Sequence, residues 1–361
     1  MSENTITLYP SNWLYNAGVV GLLNSIEKVE QLNVNDFLID AGGVIIRLPF
    51  FNKLNVQERY FSESKISSLV GKNRLYKNFL QSTQKNTFIE FVKRLDKIKS
   101  SGSCHICYNP QYLSDSDINK INEIDPGKAK FLNRIEKLNM VQNSEFGPTE
   151  NEFPNGFWNM KQSLKVCHLC NFILIHHHLA LTKLSDNSEI FINVPSFKVM
   201  FELNKIVKET YGSLNSEEAR NKREILATSV IEYSRKLQST IGLWSGMNIE
   251  IVIKSKKGID FFSLPYDTIK IISDRKIASA LSDLGEFRIL NNILDKNYSQ
   301  LIDISYKLIR IGLKNYNDRS KNENNIVNDL LSRDINRKNI SKAANKILML
   351  YSLIEEKLKR S

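Results

Sequence analysis

Only four cysteines occur in this chain, and they fall into two pairs of identical spacing, Cys104-His105-Ile106-Cys107 and Cys167-His168-Leu169-Cys170. A CxxC turn holds two sulfurs at the separation one metal ion needs, so two such turns supply the ligands of a closed tetrahedral site. With 59 residues between Cys107 and Cys167, the spacing is far longer than in a compact finger. The pairs therefore act as a clip that closes a large insertion. The ion expected is Zn2+ in a structural role, because four thiolates leave no open position for water or substrate.

Two other uses of the cysteines fit less well. Thioredoxin-like redox centres need a strand-to-helix βαβ context, and neither pair opens one. Disulfides belong to oxidising compartments, whereas the opening MSENTITLYP has no apolar signal region and no stretch of the chain is a membrane span. An intracellular, cytoplasmic protein without membrane partners is expected. At 361 residues, 42% hydrophobic and 25% charged, the chain has the make-up of a globular protein with two domains. Its net charge of +11 favours an anionic partner, nucleic acid being the commonest, although a Lys- and Asn-rich composition gives the same balance.

Read in order, the sequence predicts an α+β fold. A short strand at 6–9 ends at Pro10, Ser11 is the expected helix N-cap, and 12–23 reads as a buried helix. Gly18 and Gly21 share one face of that helix and destabilise it unless another backbone approaches closely there. Residues 36–51 suggest two strands about a Gly42-Gly43 turn. The basic stretch 65–77 contains Lys72, Asn73, Arg74 and Lys77, suited to phosphate contact or to a solvated surface, but it lacks the glycine spacing of a Walker loop. Amphipathic patterns at 87–98 and 129–141 flank the first cysteine pair, and 143–158 reads as a loop. His176, His177 and His178 cannot converge on one ion, since consecutive side chains point apart, and a core or surface role is expected.

Further on, the pattern predicts a strand at 189–194, helices at 197–211 and 216–241, and strands at 247–254 and 268–272. Five helical segments follow, at 276–284, 286–294, 298–314, 324–333 and 340–358. The expected organisation is an N-terminal mixed α/β domain, 1–275, carrying an inserted four-cysteine, zinc-ribbon-like region at about 100–180, and a C-terminal helical bundle, 276–361. Residues 297–361 hold 13 Lys and Arg against 7 Asp and Glu, contributing +6 of the total +11. That surface is either a solvated helical face or a nucleic-acid contact.

The run Tyr9-Pro10-Ser11-Asn12-Trp13-Leu14-Tyr15-Asn16-Ala17-Gly18-Val19-Val20-Gly21, together with the two split CxxC pairs, resembles the CxxC-CxxC large subunit of type I-B CRISPR Cascade complexes. The likeness covers roughly the first half of the chain; the second half matches in helical character only. It implies a non-catalytic subunit at the foot of an RNA-guided surveillance complex, beside the backbone subunits and the 5′ end of the guide CRISPR RNA. Such subunits recognise the motif flanking a double-stranded DNA target, help open the duplex and recruit a helicase-nuclease. Guide pairing then reads sequence while protein reads the flanking motif and backbone shape. The four cysteines map onto the family's metal positions. By chemistry alone Asn12, Asn16, Lys72, Asn73, Arg74 and Lys77 are the candidates for nucleic-acid contact.

Two rival functions fit the residues less well. An independent zinc-ribbon nucleic-acid-binding regulator calls for basic or aromatic flanks at the cysteines, and here the flanks Val166, Phe172 and Ile173 are largely apolar. A metal-dependent nuclease needs carboxylates grouped with histidine, and none cluster near His176.

Overall fold

The computed structural model describes residues 5–27, 32–47, 50, 54, 85–93, 104, 106–107, 115–135, 166–212, 222–236, 249–255 and 258–360. The chain forms two compact units, 1–212 with 252–261, and 213–251 with 262–361. The fold is α+β, with many helices in the C-terminal part. The helical unit thus takes in more than 276–361, because the helices at 222–236 and 266–272 pack with the segments that follow them. The basic stretch 65–77 and the loop 143–158 lie outside the described residues.

In the first unit, β1 (Thr5–Leu8) pairs antiparallel with β2 (Val44–Arg47), in register from Thr5 opposite Arg47 to Leu8 opposite Val44. The expected strand before Gly42 reduces to a single bridge, Leu38 to Val44. Gly42, at φ 81°, makes the turn, and its amide bonds the Ile39 carbonyl.

Between the strands runs α1 (Trp13–Ser25), in which every residue from Trp13 to Leu23 is buried. A helix apolar on all sides can exist only inside a core, and α1 is enclosed by α5 (His168–Leu174), the short 3₁₀ turn at 177–179, β4 (Glu189–Asn193) and α6 (Phe197–Tyr211). The glycine pair is what allows this. A methyl on Gly18 would sit 2.7 Å from the Ile173 carbonyl oxygen, and one on Gly21 would overlap the carbonyl oxygen of His176. The close backbone expected from the sequence is therefore the chain leaving the second cysteine pair.

Ahead of the first cysteine pair, α2 (Lys85–Lys93) joins α4 (Pro126–Ile135) of the insertion in a small aromatic core, and α3 (Asp115–Ile124) packs against α4. Phe91 meets Phe131 edge-on at 5.7 Å and the His168 ring at 5.4 Å. A four-stranded sheet has the order β3-β4-β5-β6, with β3 at Thr182–Lys183, β5 at Ile249–Ser255 and β6 at Gly258–Leu264. The strand expected at 268–272 is instead α8 (Tyr266–Ile272). Pro265 starts it, and Thr268, Ile269, Ile271 and Ile272 bury a helical stripe that also reads as a short apolar strand.

The second unit contains α7 (Lys222–Lys236), α8, α9 (Arg275–Leu284), α10 (Phe287–Leu294), α11 (Ser299–Gly312), α12 (Lys321–Leu330), α13 (Asp334–Lys338) and α14 (Ile340–Lys359). Leu301, Ile304, Leu308 and Ile311 of α11 bury against α14, whose Ala343, Ala344, Ile347 and Leu350 are equally enclosed. Ser305 Oγ donates to the Ala344 carbonyl at 2.9 Å in that seam. The helix expected at 324–333 starts earlier, at Lys321, and stops at Leu330, three residues short, for an electrostatic reason. Buried Glu286 accepts bonds from the Ser332 and Arg333 amides at 2.6 and 3.1 Å and from Asn336 Nδ2 at 2.7 Å, drawing those amides out of a helical ladder.

Overpacking a close backbone contact costs about 1–3 kcal/mol. Gly21→Ala is expected to destabilise the first unit at or above the top of that range and Gly18→Ala somewhat less. Gly127→Ala on α4, where a methyl meets only the Asp125 carboxylate oxygen at 3.3 Å, changes stability little. Urea denaturation midpoints of the three variants check this ordering.

Candidate metal centre

The four sulfurs meet. Sγ atoms of Cys104, Cys107, Cys167 and Cys170 all lie within 4.8 Å of one another, and Cys107 Sγ is 3.7 Å from Cys167 Sγ. An ion bonded to four sulfurs at about 2.3 Å spaces them about 3.8 Å apart along each tetrahedral edge, so the quartet fits a closed thiolate site. Among the described residues no other group of three or more Cys, His, Asp or Glu side chains converges in this way.

Local backbone geometry prepares the sulfurs for charge. Cys167 is the N-cap of α5, extended at φ −65° and ψ 160°, and its Sγ accepts the Cys170 amide at 3.3 Å. Cys104 Sγ accepts the amides of Ile106 at 3.4 Å and Cys167 at 3.2 Å. The second of these bonds crosses between the pairs, so the two halves are joined by protein as well as by any ion.

The four thiols do not share one ionisation. Bonds from Cys107, Cys167 and Cys170 hold Cys104 far below the usual thiol range. The bond with Cys104 raises Cys107, but its bonds with Cys167 and Cys170 outweigh that and leave it lowered. Burial pushes Cys167 and Cys170 well up, and Cys104 and Cys107 add to it in both. Four negative charges in so enclosed a space need a cation to offset their repulsion and lost hydration. A metal bound here holds structure, since cysteine sulfur fills all four positions.

The N-terminal run and the cysteines form one unit. Ser11 is not the cap of α1; that role falls to Asn12, whose side chain accepts the Tyr15 amide at 3.0 Å. Ser11 Oγ instead donates to the carbonyl of Ile106, inside the first CxxC turn, at 3.3 Å. Asn16 is 1% exposed. Its Oδ1 accepts the Ser11 amide at 2.8 Å, and its Nδ2 donates to Ser11 O at 3.0 Å and Asn193 Oδ1 at 2.8 Å. Both asparagines expected to contact nucleic acid are thus engaged in holding the start of α1, and buried Asn16 cannot reach a groove. Lys72, Asn73, Arg74 and Lys77 lie outside the described residues.

Sequence reasoning passed over Asn171. Fully buried, it donates through Nδ2 to Ile135 O and to Val166 O, the latter at 3.0 Å, and so ties the end of α4 to the second cysteine pair. The signal for it was an asparagine alone in the apolar run 169–175. Of the histidines that follow, His176 and His177 belong to the core and His178 is half-buried. His176 Nδ1 lies 2.8 Å from Phe172 O and His177 Nδ1 2.9 Å from Leu174 O, and both residues are buried.

Comparison of the chain with protein-family models, with curated proteins and with solved structures gives no match.

Two predictions arise from this site. Cys170→Ser is expected to weaken metal retention by more than about 100-fold, beyond the range of changes to groups behind the ligands, and thermal unfolding of the variant no longer responds to a chelator that lowers the wild-type melting temperature. The second concerns pH. Burial, reinforced by the Lys254 charge, lowers His177 to about 3, and burial lowers His178 to about 4. Both are neutral in the folded chain and take up protons on unfolding, so their contribution is present above about pH 6.5 and is lost as pH falls towards 4 and 3. Between those limits stability drops by up to about 2.7 kcal/mol per pH unit from this pair. In chemical unfolding measured across that window, His178→Gln should remove about half of the slope.

Proposed function

We propose that this chain is the large subunit of a type I-B CRISPR RNA-guided surveillance complex, with one structural Zn2+ held by Cys104, Cys107, Cys167 and Cys170. One observation carries the reading. The two separated signatures on which the resemblance rests, the run from Tyr9 to Gly21 and the split cysteine pairs, pack together: Ser11 bonds Ile106 within the first turn, and Gly18 and Gly21 lie against the chain after the second. Residues remote in sequence but joined in one structural unit are what a shared signature requires.

In this role the subunit works in the cytoplasm without chemistry of its own. It contacts guide CRISPR RNA and double-stranded target DNA, recognises the motif flanking the target, supports strand opening, and presents the complex to the helicase-nuclease. The backbone and guide-end subunits are its protein partners. Its cationic surface supplies phosphate neutralisation with counterion release. The independent zinc-ribbon regulator finds less support, because Cys104, Cys167 and Cys170 and the flanks Val166, Phe172 and Ile173 are buried and offer no contact surface.

Co-purification of the tagged chain with the products of its neighbouring genes tests the proposal. A stoichiometric assembly containing one discrete short RNA, with about one zinc per chain, is the expected result. A lone zinc protein without RNA or partners would contradict it in favour of the independent regulator.

A further inference from the structure

In the second unit a cleft of about 400 Å³ opens between the start of α9 and the last turns of α14. Its lining is unusual in what it holds. Five cations, Lys270, Arg275, Lys276, Lys357 and Arg360, face it with only two carboxylates, Asp274 and Glu356, and one apolar side chain, Leu353.

The carboxylates are already committed. Asp274 caps α9 by accepting the Lys276 amide at 3.0 Å and pairs with Lys357 Nζ at 2.9 Å, while Glu356 pairs with Arg360. Lys270, Arg275 and Lys276 have no ion-pair partner among the described residues, so three positive charges are left over around one concavity. Cations converging on a cleft raise the local concentration of anions. The volume lies within the range of small-molecule sites and admits a phosphate with its attached sugar.

We infer that this cleft is a phosphate-binding site, with Lys270, Arg275 and Lys276 as the groups that hold the anion. The lining contains no aromatic ring to stack on a base and no Asn or Gln amide to read a base edge. The site therefore recognises phosphate charge without regard to sequence. Asp274 already takes amides of the first turn of α9, so side chains and not the helix end meet the ligand. The inference extends beyond the proposed assembly: it concerns the chain by itself, and its test needs no partner subunit.

The test is binding of a short fluorescein-labelled single-stranded oligonucleotide to the full chain, followed by anisotropy across about 50–200 mM salt. The K270Q/R275Q/K276Q variant is compared with wild type and with K338Q/K342Q, which removes cations elsewhere on the same unit. The cleft variant is expected to bind at least tenfold more weakly and to lose up to about 2 from the slope of log affinity against log salt, at about 0.7 per phosphate contact. K338Q/K342Q should retain most of both. A mononucleotide that displaces the oligonucleotide at equal phosphate concentration identifies a free nucleotide as the ligand, and failure to displace it identifies the polymer backbone. No binding by wild type, unchanged affinity in the cleft variant, or an equal loss in the two variants would overturn the inference. Circular dichroism confirms that each variant is folded.

Discussion

The close approach of α1 to the chain leaving the second cysteine pair is the contact on which the first unit depends. A helix buried from Trp13 to Leu23 has no face for water, and it is stable only if its surroundings are complete. Gly18 and Gly21 bring its backbone against Ile173 and His176, which positions α5 and hence Cys167 and Cys170. Ser11, at the other end of the same helix, bonds the turn between Cys104 and Cys107. One helix therefore orients both halves of the metal centre.

The centre in turn stabilises what it joins. Its sulfurs sit where burial opposes charge, with some thiols held low and others pushed up, and a bound cation reconciles the two tendencies. Around it the protein adds ties of its own. The Cys167 amide bonds Cys104 Sγ across the pairs, and Asn171 binds the end of α4. The insertion is held by its aromatic core, by these hydrogen bonds and by the ligand set together. Buried His177 and half-buried His178, both neutral in the folded chain, add a dependence on pH that is separate from the thiolates.

Much of this was legible in the residues, for definite reasons. The cysteine spacing announced a quartet, and two glycines on one face of an apolar helix announced a close backbone. The helix over 197–211 was readable because one of its faces is apolar, and the structure adds Ser196 as its cap. Misreadings occurred where short apolar runs satisfy two periods at once, as at 268–272, or where a remote group decides the local structure. Glu286 takes up the Ser332 amide just past the helix end at Leu330 from more than forty positions away, and nothing within 324–333 signals it. Asn12 and Asn16 illustrate the same limit, since exposed recognition asparagines and buried structural ones look alike until their partners are known. The cationic cleft was invisible for that reason as well: Lys270, Arg275 and Lys276 are near neighbours in sequence, but the wall they face, with Lys357 and Arg360, comes from a helix about eighty residues further on.

Absorption spectroscopy at the zinc edge of the purified chain tests the central claim most directly, because it reads the ligand set at the metal. The account predicts four sulfur neighbours at about 2.3 Å and no lighter atom bonded to the ion. A ligand set that mixes sulfur with nitrogen or oxygen, or a folded protein that carries no metal, would contradict it.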